Sequence, residues 1–486
     1  MANDAKLLIR ADSGPAVGTG HVMRMFALAE AWKQIGGRTF FVASVLPGTL
    51  RNRLETSGFE VEEIGPSHAG TTGIDAQRTF EIADHIGADW IAADGYVFDD
   101  RWEEVVSGSN RKLLVMDDFA HSTHHRADLV VNQNAYATAE LYPRKKPKQL
   151  LLGCRYLLMR PEFAPDRCRA RAVPNNEPRR ILVTLGGADP DNVTSKVIRC
   201  LEAIQIPDLE IDVVVGPDFK QRRMLVRQAA QSKHSVTLHS NVRNMGELML
   251  QADFALSAGG TTTYELARCG VPTVVISIAD NQIEVAKELQ RLRVAKYAGH
   301  FESLHDKVLI DLISHTMLDY KERIRMSRNG RALVDGKGAG RIAGRMINSL
   351  FDLRPATIED ASMILDWRNE PETRAVSFHR EAIDLECHTR WMKGKLADPD
   401  CRIWIVVDKS NQPVGQVRIE KSEQQGPGLQ GTGMISVSIR HEFRGRGLGP
   451  LLIRKAALRG VEELSITRVV AQIKPFNSAS KHAFAK

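Results

Sequence analysis

The sequence predicts an α/β chain built as two doubly wound parallel-sheet domains facing a cleft, followed by a smaller α+β domain. Three observations carry that prediction. Short apolar and β-branched runs alternate with helix-length segments up to residue 350, which argues for parallel sheets covered on both faces. Each half of that stretch contains a strand that feeds a glycine turn and then a helix. Past residue 350 the pattern changes to strand following strand. The 486 residues are too many for one ordinary core, and the divisions fall at 1–160, a linker over 161–180, 181–350 and 351–486.

With 43% hydrophobic and 26% charged residues, the chain has the composition of an ordinary globular protein. Its formal charge of +7 favours anionic partners. The lysines and arginines are dispersed, without one stripe of basic and aromatic residues, which points to small phosphorylated substrates and away from nucleic acid. The N-terminus has no basic start with a long apolar core, and no apolar run approaches the roughly 18 residues of a membrane helix. A cytosolic protein with no membrane partner is expected. The cysteines, Cys154, Cys168, Cys200, Cys269, Cys387 and Cys401, lie far apart without a Cys-x-x-Cys pair, so neither a disulfide framework nor a zinc ribbon is indicated.

Taken in order, Leu7-Leu8-Ile9 reads as the first strand and the stretch from Val22 to Lys33 as a helix. Between them lies Gly18-Thr19-Gly20-His21-Val22-Met23-Arg24. Glycine lets the backbone turn sharply and lets a ligand approach its N–H groups, while a new helix presents free donors and a partial positive charge. Phosphates or a sugar suit such a place. His21 stands at its mouth, where an imidazole is suited to general-base work near neutral pH. Further strands are expected at 39–43, 59–64, 90–93 and 113–116. Ligands of parallel sheets bind at the carboxyl ends of strands, and two acidic groups fall there: Asp94-Gly95-Tyr96 and Asp117-Asp118. Asp94 and Tyr96 are placed either to bond sugar hydroxyls or to form an Asx turn or cap. The run from His121 to His125 has three imidazoles but no flanking carboxylate at metal-ligand spacing, so no metal is expected. Val130 to Asn134 completes this half as a strand with a polar end.

Residues 161–180 combine four prolines with many arginines and little periodicity, which is the composition of a linker whose arginines form a solvated face. Strands resume at 181–184 and lead into a second glycine turn, Leu185-Gly186-Gly187-Ala188-Asp189-Pro190. After strands at 211–215 and 236–238 comes Ser257-Ala258-Gly259-Gly260-Thr261-Thr262-Thr263-Tyr264-Glu265. Backbone N–H groups, threonine hydroxyls and the helix dipole would together cradle a diphosphate, with Glu265 one turn further on, within reach of ribose hydroxyls. The spacing is neither that of a P-loop nor of the dinucleotide fingerprint. Asp280-Asn281-Gln282, at another helix start, adds a neighbouring polar strand end.

The glycine loop with His21, the Asp94-Gly95-Tyr96 and Asp117-Asp118 strand ends, Leu152-Gly153-Cys154-Arg155-Tyr156, the Leu185 to Pro190 turn and Ser257 to Glu265 resemble the UDP-sugar hydrolase family of pseudaminic acid biosynthesis, which removes UDP from 2,4-diacetamido-2,4,6-trideoxy-β-L-altropyranose. The resemblance runs in order from about Ile9 to Arg341. It implies the two-domain GT-B fold, with His21 as the catalytic residue that positions or deprotonates water. It further implies that Ser257, Gly259, Gly260, Thr261, Thr262 and Glu265 hold UDP. Asp12, Gly18, Gly20, Arg24, Asp94, Tyr96, Gly187, Asn281 and Gln282 complete the implied substrate site, and no metal is implied.

In the third segment, strands are expected at 403–407, 414–420, 434–439 and 469–473, with a loop at 423–428. Arg444-Gly445-Arg446-Gly447-Leu448-Gly449 leads into a helix, and Asn477-Ser478-Ala479-Ser480 follows the last strand. This segment is similar to GNAT N-acetyltransferases. The similarity implies acetyl-CoA as co-substrate, with Arg444, Gly445, Arg446, Gly447, Gly449 and Asn477 at its pyrophosphate. Trp367-Arg368-Asn369 and the Trp391 helix also resemble the same pathway's 4-amino-sugar acetyltransferase. Phe484 stands where many relatives carry a tyrosine, and the chain ends at Lys486 before the final strands such a domain has, so an incomplete module is expected. The rivals to hydrolysis are a GT-B glycosyltransferase, a hydrolysing 2-epimerase and a non-catalytic UDP-sugar-binding scaffold.

Overall fold

The computed structural model describes residues 5–485, apart from 15–17, 66–71, 108–110, 121–124, 143–146, 169–173, 188, 217–218, 241, 243, 423–430 and 446–447. The chain divides into two compact units. One contains Lys6–Trp32 and Thr39–Ile342; the other gathers the chain from Ala343 onward with Lys33–Arg38.

The first unit holds two sheets. Strands β1 (Lys6–Ala11), β2 (Arg38–Ala43), β3 (Glu60–Glu63), β4 (Trp90–Asp94), β5 (Lys112–Met116), β6 (Leu129–Asn132) and β7 (Gln149–Leu152) are ordered β3-β2-β1-β4-β5-β6-β7. The β2/β3, β1/β4, β4/β5, β5/β6 and β6/β7 pairs are parallel. Central strands such as β4 are buried along their whole length, as a sheet covered on both faces requires, and for that reason they read as unbroken apolar runs. The second sheet has β8 (Arg180–Thr184), β9 (Glu210–Val215), β10 (Ser235–Ser240), β11 (Phe254–Ala258), β12 (Thr273–Ser277) and β13 (Ala295–His300) in the order β10-β9-β8-β11-β12-β13. All its pairings are parallel. Strand order therefore reverses between β1 and β4 in one sheet and between β8 and β11 in the other. These switch points are where open α/β sheets leave a crevice at their carboxyl ends.

In the stretch joining the sheets Phe163 and Cys168 are buried while Arg167 and Arg179 are exposed, and a short 3₁₀ turn, Pro161–Phe163, follows Arg160. The Gly338–Asn348 helix returns to the start of this stretch. An added Cβ on Gly338 would lie 2.2 Å from the Leu157 carbonyl oxygen, and Arg341 donates to the Arg155 carbonyl at 2.9 Å.

The second unit is an α+β domain. Its sheet runs β14 (Phe351–Pro355), β15 (Cys401–Asp408), β16 (Pro413–Lys421), β17 (Thr432–Ile439) and β18 (Arg468–Val470). The first three pairings are antiparallel and the last is parallel. β17 meets β18 only from Thr432 to Met434, so the rest of β17, up to Ile439, runs on beyond the pairing. The expected strand at 469–473 is thus shorter, and β7, β13 and β14 are strands the sequence pattern did not single out.

Candidate functional site

Past β1 the chain reaches Gly18 in the left-handed region, φ +74°, its N–H bonded to the Gly14 carbonyl at 2.7 Å. The helix Gly20–Gln34 then begins. His21 and Arg24 lie one turn apart on it, and both point to β4. His21 Nδ1 is 2.6 Å from Asp94 Oδ1. Arg24 donates to the same carboxylate through Nε (2.5 Å) and Nη2 (2.6 Å), and to Asp118 through Nη1 at 2.9 Å. All four side chains are buried. Burial alone would push the Asp94 carboxyl up; the charges of Arg24 and His21 outweigh it and hold the group well below the usual carboxylate range. The same contacts, with Asp118 foremost among the partners, keep Arg24 charged against its burial. Tyr96 stands edge-on to the His21 ring, centroids 4.9 Å apart. Burial and the nearby Asp118, whose carboxylate is 3.5 Å from the hydroxyl, raise its phenol.

Asp12 is engaged locally. Arg10, fully buried in β1, donates to both of its oxygens at 2.6 and 2.9 Å, and the Ser44 N–H adds a bond of 2.7 Å. Arg10 is held from its other side by Asp75.

At the second switch point Ser257 is buried at the end of β11, its hydroxyl donating to the Ala258 carbonyl at 3.1 Å. Gly259 follows, and its N–H donates to Gln282 Oε1 at 3.1 Å, an oxygen that also accepts from the Ile278 N–H at 3.0 Å. Gln282 thus ties the turns after β11 and β12 together. Gly260 caps the Thr261–Cys269 helix, and Thr261 and Thr262 are half-buried at its open end. Glu265 is gripped by Arg160, Nε to Oε1 at 2.8 Å and Nη2 to Oε2 at 2.6 Å.

A cleft of about 260 Å³ joins these parts. Gly20, Met23 and Arg24, on the helix that follows β1, line it, together with Leu157 to Arg160 and, from the turns and helix of the second sheet, Gly186, Gly187, Gly216, Thr261, Thr262 and Glu265. His21 lies between the lining residues Gly20 and Arg24, 6% exposed. Arg160 and Asp118 are the neighbours that sequence reasoning left out of the site. Asp118 stood at a strand end where an acid is informative, whereas nothing near Arg160 separated it from the other arginines before the prolines. Among the described residues no cluster of three or more His, Cys, Asp or Glu could hold a metal. His121 and His124 lie outside the described residues. His125 bridges Glu103 (2.8 Å) and Asp117 (3.0 Å); burial would lower its pKa, but these two hydrogen-bonded carboxylates raise it to about 9.

In the second unit Gly445 has φ +75° with no atom within 4 Å of a would-be Cβ, and Gly449 opens the next helix with Ala483 Cβ at 3.2 Å from such an atom. Arg444 is committed to Glu370, to Thr373 Oγ1 at 2.9 Å and to Glu372 at 3.1 Å. Asn477 accepts from the Ser480 N–H at 3.0 Å and so caps the last helix. Arg446 and Gly447, like the loop at 423–428 and Ala188, lie outside the described residues.

Two Rossmann-like domains with their switch points on one cleft, followed by a GNAT-type domain, define the class: a GT-B architecture with a fused acetyltransferase module. The family comparisons agree. Residues 180–337 match the glycosyltransferase family 28 C-terminal domain, and residues 351–486 match the acetyltransferase (GNAT) domain. An uncharacterized protein of Methanocaldococcus jannaschii is 25% identical over 438 residues, 87% of this chain and 85% of that protein. The UDP-2,4-diacetamido-2,4,6-trideoxy-beta-L-altropyranose hydrolase of Campylobacter jejuni is 23% identical over 291 residues, 59% of this chain and 96% of its own. Among solved structures, MurG of Acinetobacter baumannii shares the fold with a TM-score of 0.53 at 15% identity, covering 71% of this chain and 99% of MurG. Among the described residues no helix is long and apolar enough to cross a membrane.

Proposed function

We propose that the first unit hydrolyses a UDP-linked diacetamido-trideoxy sugar to UDP and free sugar, and that the second unit is an acetyl-CoA-dependent amino-sugar N-acetyltransferase. The observation that carries the first reading is the Asp94–His21 pair beside a cleft whose far wall is a helix N-terminus. With Nδ1 donating to Asp94, Nε2 keeps the lone pair that can take a proton from water. Water then bonds to the anomeric carbon, the bond from that carbon to the diphosphate oxygen breaks, and the electron pair leaves with UDP. Charge developing on the diphosphate is met by the N–H groups at Thr261 and Thr262 and by the helix dipole. Arg24 keeps Asp94 ionised, and so keeps the imidazole in the productive tautomer. The relative from Campylobacter supports hydrolysis over transfer to a sugar acceptor.

Acetyl-CoA supplies an activated acetyl group as a thioester. Gly445 leaves open space where a Cβ would stand, room that a pyrophosphate could use, and β17 past Met434 is paired by β16 but not by β18. The Arg444 guanidinium, tied to Glu370, would shape that loop more than bind the cofactor. Acetylation of an amino sugar-nucleotide would supply the substrate that the first unit consumes. Free thiols at all six cysteines and two soluble co-substrates fit a cytoplasmic setting. The test is kinetic. His21→Ala should lower UDP release by about 10²- to 10⁴-fold while leaving the dissociation constant for UDP within a few fold; a variant keeping a tenth of the activity would refute the assignment.

A further inference from the structure

We propose that Arg160 is a positioning residue of the nucleotide site, holding the Glu265 carboxylate in the orientation in which it accepts the ribose diol. This rests on the reading of the cleft as a UDP-sugar site. The fork of Arg160 meets Glu265 with one nitrogen on each oxygen, at 2.8 and 2.6 Å. The two side chains are 15% and 9% exposed, and both residues line the cleft. A carboxylate has about four acceptor sites; a bidentate guanidinium takes one from each oxygen and leaves one on each. Two adjacent hydroxyls match what is left.

Arg160 is itself fixed. It precedes Pro161, which restricts it to extended backbone, observed at φ −54°, ψ 149°. Its carbonyl accepts from the Phe163 N–H at 3.0 Å, and its guanidinium lies 5.2 Å from the ring centroid of Phe163, which is wholly buried. Glu162 Oε1 is 3.3 Å from Nη1. Glu265 sits on a helix pinned in turn by Tyr264, whose hydroxyl accepts from the Ala135 N–H at 3.0 Å. Both ends of the pair are therefore held by packing that does not depend on the pair, which is the arrangement a positioning contact requires. Lysine cannot reproduce it, because an ammonium is a point charge and lacks the planar fork.

The experiment is calorimetric titration of the full-length protein with UDP and with 2′,3′-dideoxy-UDP, which keeps the uracil and diphosphate but lacks the diol. The wild type should prefer UDP by at least about tenfold, the scale of a charge-assisted hydrogen bond. Arg160→Lys and Arg160→Met should reduce that preference below about threefold while binding dideoxy-UDP as the wild type does. Melting curves confirm folding, and Arg160→Lys decides if the methionine variant does not fold. A preference that survives in Arg160→Lys but is lost in Glu265→Ala overturns the positioning role alone. Parallel weakening of both nucleotides also overturns it, and makes Arg160 a direct diphosphate ligand. A wild type that binds UDP without preference removes the ribose role of Glu265 and this proposal together; one that binds neither nucleotide refutes the UDP-sugar reading itself.

Discussion

The reactivity proposed for His21 depends on partners that are remote in sequence. Asp94 lies at the end of a neighbouring strand and Asp118 beyond the next, and Arg24 ties the two carboxylates at 2.5 to 2.9 Å. Asp94→Asn should therefore lower UDP release by about 10²-fold or more, because an amide can stabilise the wrong imidazole tautomer; single-turnover rates within tenfold of the wild type would contradict that. His125 makes a separate prediction about stability. Its folded pKa of about 9 stands above the reference value of 6.5, so the folded state binds the extra proton. The stabilisation from its bridge to Glu103 and Asp117 should be fully present below about pH 6.5 and lost as pH rises toward 9. Denaturant unfolding of the wild type and His125→Gln at several pH values checks the sign: their difference should shrink from pH 6 to 9.5, and a constant difference would refute the bridge.

At the scale of elements, two glycines in the turns at the strands' carboxyl ends, Gly259 after β11 and Gly216 after β9, stand where no side chain fits. A Cβ on Gly259 would meet Gln282 Cβ at 2.8 Å and its carbonyl oxygen at 3.0 Å, and one on Gly216 would meet the Gly187 carbonyl oxygen at 2.1 Å. Gly259→Ala should cost about 1–3 kcal/mol by overpacking and weaken UDP binding, since the Gln282 clamp must open; unchanged melting and affinity would show that the clamp is not needed. The glycine turns were legible in the sequence because they sit between strand and helix patterns. The central strands were legible too, being apolar throughout. The edge strands were legible only in part: β3 and β10 fall at the expected 59–64 and 236–238, whereas β7 and β13, both only partly buried, were not singled out. The same limit applies to side-chain partners. The sequence placed Asp12 and Glu265 near the cleft, but not that Arg10 holds the first and Arg160 the second. Such pairings depend on which strands and loops become neighbours in space, and Arg160 precedes Glu265 by more than a hundred positions.

For the whole molecule, the Gly338–Asn348 helix is anchored at Leu157 and Arg155 of the first unit, so a chain ended after Leu350 keeps that anchor. It should stay folded and retain UDP release within about threefold of the full chain, because every residue of the proposed UDP-sugar site lies before it. Loss of hydrolysis in a folded truncated protein would contradict separable units. The full chain with acetyl-CoA and an amino sugar-nucleotide should acetylate the amine, with thiol release as the readout. The central claim is hydrolysis, and phosphorus NMR of the purified full-length protein with UDP-2,4-diacetamido-2,4,6-trideoxy-β-L-altropyranose tests it most directly. The paired diphosphate signals of the sugar nucleotide should be replaced by those of free UDP with no acceptor present, at least about 10²-fold more slowly in His21→Ala; a sugar nucleotide left intact until an acceptor sugar is added would contradict hydrolysis.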